Sequence, residues 1–253
     1  MAFDLEQVRS RMPGNRIEWH PEIDTTMREA ARLAGEGAPG GTIVGAELQR
    51  TGQGRQGRNW HSPEAEGLYF TQILRIDLPP RRLPVVTLAL GVAVADVLKM
   101  LTGLSPDLRW PNDVMINERK VCGILTQLHD GAILAGVGLN VNQTEFPAPL
   151  REIATSLRIE TGDTFRREAL LAALATSIDS NARILATGGA VPVLTLFSAA
   201  SSYVEGKRVE VDMPGGLVRG ITAGLTADGF LRLQSDDGSE TVVTAGGVRP
   251  IYD

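Results

Sequence analysis

"TGQGRQGRNW", residues 51–60, sets three glycines and two arginines in ten positions and ends on one of the chain's three tryptophans. Gly52, Gly54 and Gly57 spell G-x-G-x-x-G, the string of a dinucleotide-binding loop, and the fold turns on whether they form one. A Rossmann loop needs a helix opening at its glycines, so that the helix N-terminus receives the pyrophosphate. Here "RNWHSPEAEG" follows, and Pro63 with its helix-poor neighbours predicts no helix. A P-loop needs Lys and Ser/Thr after its last glycine, where this chain has Arg58 and Asn59. The H-R-D and D-F-G partners of a kinase lid are absent. What remains handles anions: Arg50, Arg55 and Arg58 fall between Leu48 and His61 with no acid among them. Glycine amides and guanidinium groups together make a concave anion site. Trp60 adds a flat face for a nucleobase. Taken alone, the segment reads equally as a mobile hairpin loop with solvated arginines.

Working outward, "GTIVGAEL" (41–48) and "GLYFTQILRI" (67–76) read as strands on either side of the loop. "IDTTMREAARLAGEG" (23–37) reads as a helix capped by Asp24 or Thr25, with a Thr26-x-x-Glu29 capping box and a stop at Gly35. "LPVVTLALGVAVADVLKML" (83–101) is apolar nearly all round, as a buried helix is. In "KVCGILTQLHDGAILAGVGLNVN" (120–142), Asp130-Gly131 joins two apolar strands as a tight hairpin. Residues 164–187 and 190–201 return to helical spacing. From Tyr203 to Tyr252 short strands alternate with "PGG", "ADG" and "SDDG", which suggests a small SH3-like β-barrel. The fold class is therefore α+β, with a central mixed or antiparallel sheet over residues 1–201 and a barrel over 202–253. Truncation before Tyr203 should then leave a soluble first domain.

The 253 residues carry a net charge of −5, which argues against general nucleic-acid binding. No apolar run is expected to serve as a membrane span, and "MAFDLEQVRSRMPGN" has no signal core. Cys122, the single cysteine, can form no internal disulfide and reads as packing. A cytoplasmic protein is the default. His20, His61 and His129 lack metal-ligand spacing, so no metal-ligating residue is assigned.

A second segment adds chemistry. In "RWPNDVMINERKVCGIL" (109–125), Pro111 removes a backbone donor and Asn112-Asp113 favours a turn. Lys120 follows seven residues past Asp113, so a carboxylate, an amide and an ammonium meet near one turn. Alone this too reads as an ordinary hairpin with a solvated lysine, and Trp110 reads as core.

Together these residues resemble the biotin protein ligases. The family's G-R-G-R-x-G-R-x-W loop matches "GQGRQGRNW" at every fixed position but one, and K-W-P-N-D matches "RWPND". R-K-x-x-G-I-L matches "RKVCGIL" and G-x-G-x-N matches "GVGLN", in family order, and with the small C-terminal β-domain the motifs cover nearly the whole chain. The resemblance implies a catalytic domain like that of class II aminoacyl-tRNA synthetases, followed by the SH3-like barrel. It implies that biotin and MgATP give biotinyl-5′-AMP and pyrophosphate, and that a lysine of a biotin carboxyl carrier protein or domain then takes the biotinyl group. Carried over by position, Thr25, Thr26 and Met27 fall on the biotin-contacting turn and Gln49 on the ureido side. Gln53, Gly54 and Arg55 fall on the loop triplet that folds over biotin and adenylate, and Gly123 joins the biotin set. Gly52, Arg58, Trp60, Asn112 and Asn140 fall on nucleotide positions, Trp60 as the adenine-stacking residue and Asn140 near ATP and its Mg²⁺. Lys120, Arg55 and Asp113 fall on the reacting centre. The resemblance implies a soluble enzyme with no DNA or membrane partner, since the biotin turn begins too early to leave room for the winged helix of the family's repressors. It allows a homodimer through the catalytic sheet.

Three positions depart from the family. Gln53 replaces an arginine, Arg109 a lysine, and Met27 the asparagine of the biotin turn. A lipoate or octanoyl transferase and a non-catalytic binder are the rival readings; the loop and "WPND" as a pair favour biotin.

Overall fold

The computed structural model describes residues 3–213 and 215–251; Pro214 of the "PGG" turn and Tyr252, the expected end of the strand-rich segment, lie outside the described residues. The larger sheet has seven strands: β1 (Ile17–Ile23), β2 (Ile43–Gln49), β3 (Gly67–Leu74), β4 (Asp107–Arg109), β5 (Asp113–Ile116), β6 (Arg119–His129) and β7 (Ala132–Asn140). Their order is β1-β2-β3-β7-β6-β5-β4. Only β1 and β2 run parallel, and α2 (Thr26–Gly35) is the crossover that a parallel pair requires. Every other neighbouring pair is antiparallel, so the sheet is mixed. Asp130 and Gly131 close β6 onto β7, both at positive φ (45° and 71°), as a tight hairpin demands.

Strand alternation sorts the apolar residues onto two faces. Val44, Ile73 and Leu134 meet Met27, Ala30 and Leu33 of α2 on one side. Ile43, Phe70, Leu74 and Ile124 join the larger core on the other, under α3 (Leu83–Thr102), α5 (Arg167–Gly188) and α6 (Ala190–Ala199). Two short helices, α1 (Leu5–Arg11) and α4 (Leu157–Thr161), complete this part. Buried between α5, α6 and the sheet, α3 needs no polar face. Contrary to expectation, residues 80–102 are long and apolar enough to cross a membrane by length and composition alone, with mean hydropathy 1.9, but they are mostly buried within the fold.

The expected capping box on α2 does not form. Thr25 is the N-cap residue yet makes no side-chain cap bond, and Glu29 pairs with Arg32 instead. Gln49, arriving from β2, takes over: its Oε1 accepts from Thr26 N at 2.9 Å and from Thr26 Oγ1 at 3.2 Å. A neighbouring strand thus satisfies a helix-start donor that a local side chain was expected to serve.

After Tyr203 comes a five-stranded antiparallel, SH3-like sheet: β8 (Glu205–Met213), β9 (Gly216–Leu225), β10 (Leu231–Gln234), β11 (Glu240–Val243) and β12 (Val248–Pro250), in the order β11-β10-β9-β8-β12. Its inward residues, among them Val209, Val211, Leu231 and Val248, belong to the same core cluster as α3 and Trp110. The turn between β9 and β10 seals the junction. Trp110 Nε1 donates to Gly229 O at 2.9 Å, Arg82 Nη1 donates to Ala227 O at 2.6 Å, and Arg82 pairs with Asp228 at 3.3 Å. A continuous core of this kind argues against the expectation that truncation before Tyr203 leaves a soluble domain.

Candidate active site

The glycine loop joins β2 to β3 and closes on itself. Trp60 N donates to Gly52 O at 2.8 Å, Gly54 N donates to Arg58 O at 2.7 Å, and Gln53 and Asn59 face each other as an isolated bridge. Residues Arg55–Gly57 make one 3₁₀ turn, and no α-helix follows. The loop lies along a cleft of about 430 Å³, within the range of about 300–1,000 Å³ typical of small-molecule sites. The start of α2, the end of β2, the face of β6 and β7, and the β8 and β12 region of the smaller sheet complete its walls.

The floor is a strip of sheet without side chains. Gly123 and Gly138 are register partners on β6 and β7. A Cβ on Gly138 would fall 2.5 Å from the Trp60 ring, and one on Gly123 would fall 2.8 Å from it. The indole therefore lies against the glycine pair, a close approach that any larger residue would block. Lys120 Nζ sits 5.2 Å from the ring centroid. Trp60 Nε1 is buried and has no hydrogen-bond partner among the described residues. On the ligand roles that the sequence resemblance implies, Trp60→Ala should weaken nucleotide binding by about 1–3 kcal/mol, the range for base stacking on aromatic residues, and biotin binding much less. Calorimetry with each ligand checks this, and equal losses for both would make Trp60 scaffold only.

Beside the strip is a cluster of charge. Lys120 Nζ pairs with Asp113 Oδ1 at 2.5 Å, both side chains being about two-thirds buried. Arg55 Nη1 donates to Asn112 Oδ1 at 3.3 Å and to Gly246 O at 3.2 Å. Asn112 is itself held on β6: its Nδ2 donates to Ile124 O, and its carbonyl accepts from Ile124 N. Burial pulls the Arg55 guanidinium below its ordinary pKa; Asp113 opposes that shift and Arg58 adds to it. An arginine so placed still keeps its charge. Arg58 is exposed at the rim. Three cations against one carboxylate leave this end of the cleft ready for anions.

The other end is neutral. Thr25 Oγ1 is buried without a partner among the described residues and lines the cleft. Gln49 is engaged at both ends, by Thr26 and by Ser62 Oγ, to which its Nε2 donates at 3.0 Å. Met27 lies on Gly136, its Sδ 2.8 Å from where a Cβ would be.

Of the residues expected at the site, all but one line this cleft: Thr25, Thr26, Met27, Gln49, Gln53, Gly54, Arg55, Arg58, Trp60, Asn112, Asp113, Lys120, Gly123 and Asn140. Gly52 does not. Its α-carbon faces Trp60 O and Ser62 Oγ, within 3 Å of any added Cβ, so it is the hinge-point of the loop's own closure. Asn140 reaches the cleft wall but is buried, and its Nδ2 donates to Thr155 O at 2.9 Å. Arg109 pairs with Glu118 at 2.6 Å and stacks over Tyr203 at 4.2 Å, which turns it toward the junction of the two sheets. Cys122 is fully buried, and burial pushes its thiol far up, as packing implies.

Sequence reading missed Gly136 and Gly138 as floor, although alternate glycines in a strand signal a close approach. It also missed Gly246, which lines the cleft from the second sheet. Glu18, His20 and Glu29 do gather within 4.8 Å of one another, against the expectation from spacing. Both carboxylates, however, are already paired, with Arg16 and Arg32.

The chain matches the model of the biotin/lipoate A/B protein ligase family over residues 19–143 and that of the biotin protein ligase C-terminal domain over 206–248. It is 34% identical to the biotin–[acetyl-CoA-carboxylase] ligase of Mycobacterium tuberculosis, over 97% of this chain and 94% of that protein. It is 31% identical to the bifunctional ligase/repressor BirA of Bacillus subtilis, over 94% of this chain and 75% of that one. Among solved structures, the Aquifex aeolicus biotin protein ligase in complex with biotin and ATP superposes with a TM-score of 0.82 at 28% identity, covering 94% of this chain and 99% of the other.

Proposed function

The chain belongs to the biotin/lipoate A/B protein ligase family, among its biotin protein ligases, and on that premise we propose that the cleft makes biotinyl-5′-AMP and passes the biotinyl group to a carrier lysine. The expected acceptor is the biotin carboxyl carrier protein, or carrier domain, of acetyl-CoA carboxylase or a related carboxylase. In the first step a biotin carboxylate oxygen attacks the α-phosphorus of ATP, which enters as its magnesium complex, and the bond to the β-phosphate breaks to release pyrophosphate. In the second, the lysine Nζ attacks the acyl carbon, an amide forms and AMP leaves.

The observation that carries this reading is the cluster of Lys120, Asp113, Arg55 and Asn112 at one end of a cleft whose floor is Trp60 on two glycines. Carboxylate attack on a phosphate brings anions together, and fixed cations oppose that repulsion best where water is excluded. Lys120 meets the reacting carboxylate and phosphate, held by Asp113; Arg55 and Arg58 meet phosphate oxygens. Asp113 is the residue nearest to orient the incoming lysine, but its ion pair suits it to placing Lys120 more than to taking a proton. The unpartnered Thr25 Oγ1, with Thr26, Met27 and Gln49, suits the bicyclic end of biotin. Gly123 seats the Trp60 ring and the Lys120 stem, and Gly54 lets the loop close on Arg58 O. Trp60 takes the adenine, with Asn140 beside the nucleotide. Residues 1–201 are proposed as the catalytic domain and 202–253 as a domain that helps hold ATP and carrier. The reaction is assigned to the cytoplasm. A homodimer would form across β1, the longer of the two edge strands of the seven-stranded sheet.

The test follows pyrophosphate release with MgATP alone, with biotin and with lipoate, then biotin transfer to a carrier domain. Release that depends on biotin supports the ligase; dependence on lipoate supports the transferase reading, and no release supports a binder. Arg55→Gly should loosen retention of the adenylate, so that lysines of an unrelated protein become labelled. Trapping the adenylate, diluting, and following its escape checks this; escape as slow as in the wild type would remove Arg55 from that role.

A further inference from the structure

One backbone atom of the second sheet hydrogen-bonds a side chain of the reacting centre. Gly246 holds a positive φ (115°), and a Cβ there would lie 2.6 Å from Val211 Cγ1 and 2.7 Å from Asp212 O. Both the conformation and the space therefore demand glycine. What this backbone presents to the cleft is its carbonyl, which accepts from Arg55 Nη1 at 3.2 Å across 191 positions of sequence. The same nitrogen donates to Asn112 Oδ1, an acceptor fixed on β6.

A guanidinium has five N–H groups in a rigid planar fork. Two acceptors on one terminal nitrogen fix that plane and leave Nη2 and Nε unpaired among the described residues, the arrangement that grips an anion through two parallel bonds. We propose that the Gly246 carbonyl is a positioning group for Arg55, by which the smaller sheet orients this side chain for phosphate in adenylate formation. It makes no contact with substrate. Its effect is confined to the geometry of Arg55, so losing it lowers kcat for adenylate formation and leaves the KM for biotin near its original value. This inference rests on the ligase reading above.

A double-mutant cycle tests it. Gly246→Ala should slow biotin-dependent pyrophosphate release about tenfold in the wild-type background, and at most about twofold with Arg55→Lys, whose single ammonium has no plane to orient. Equal losses in the two backgrounds, or no loss in either, would overturn the proposal. If Gly246→Ala does not fold, an ester in place of the 246–247 amide, introduced by semisynthesis, weakens the carbonyl as an acceptor without adding bulk. The same cycle with the ester then decides. A wild-type protein that releases no pyrophosphate with biotin removes the ligase reading itself; one that does, with multiplying effects, removes only this role of Gly246.

Discussion

Lys120→Ala should slow biotin-dependent pyrophosphate release by about 10²–10³, the usual consequence of removing one fixed group that stabilises transition-state charge. The loss is larger than that of an ordinary surface cation because of where Lys120 points. Its ammonium pairs with Asp113 at 2.5 Å and lies above the Trp60 ring. Alanine would leave the Asp113 carboxylate facing the incoming phosphates with no neutralising partner, so one change removes an attraction and uncovers a repulsion. The fold should survive, because the backbone of residue 120 is held independently. Its N–H donates to Ile153 O at 2.8 Å, and its carbonyl accepts from Thr155 N at 2.9 Å. A melting curve and a pyrophosphate assay on one preparation check both halves. Turnover near the wild type in a folded variant would end the role given to Lys120.

Ending the chain at residue 201 should leave a protein that aggregates or melts without cooperativity. Trp110, Val85 and Leu88 are almost wholly buried, and the turn carrying Gly229 seats against all three. Each large apolar side chain fully uncovered costs about 1.5–3 kcal/mol. Even partial uncovering of the three removes a sizeable share of a domain's stability, about 5–15 kcal/mol in all. Size-exclusion chromatography and calorimetry of residues 1–201 measure the outcome. A monodisperse fragment with a sharp transition would show that the second sheet is a separable appendage.

Motifs of fixed spacing made most of the site readable. Arg55, Trp60, Asn112, Asp113 and Lys120 meet in one cleft because loop, turn and strand each declare themselves locally, through glycines, a proline and an apolar run. The hairpin at Asp130-Gly131 was equally plain. What escaped was contact between distant segments. The start of α2 looked self-capped, yet its acceptor is Gln49, 23 residues on in a strand. Gly52 belongs to the same glycine string as Gly54, and only the loop's closure on Trp60 N turns it away from the cleft. "TAGGVR" gave no hint that one of its carbonyls meets Arg55. The shift to short strands at Tyr203 was visible, but the continuity of the core across it depends on how one turn docks, which periodicity does not encode.

The order in which α3 acquires its neighbours sets a problem for synthesis. Most of the elements packed on it, β4, β5, β6, α5 and α6, follow it in the chain. As the nascent polypeptide leaves the ribosome at about 5–20 residues per second, the final segment of that cover trails the helix by roughly 5–20 s. Throughout that interval a helix hydrophobic enough to be mistaken for a membrane anchor is without its native covering. Chaperone holdases, which bind unfolded chains, should therefore raise the yield of active protein. Ribosome profiling of chaperone occupancy would place their engagement between the emergence of Thr102 and that of Ala199.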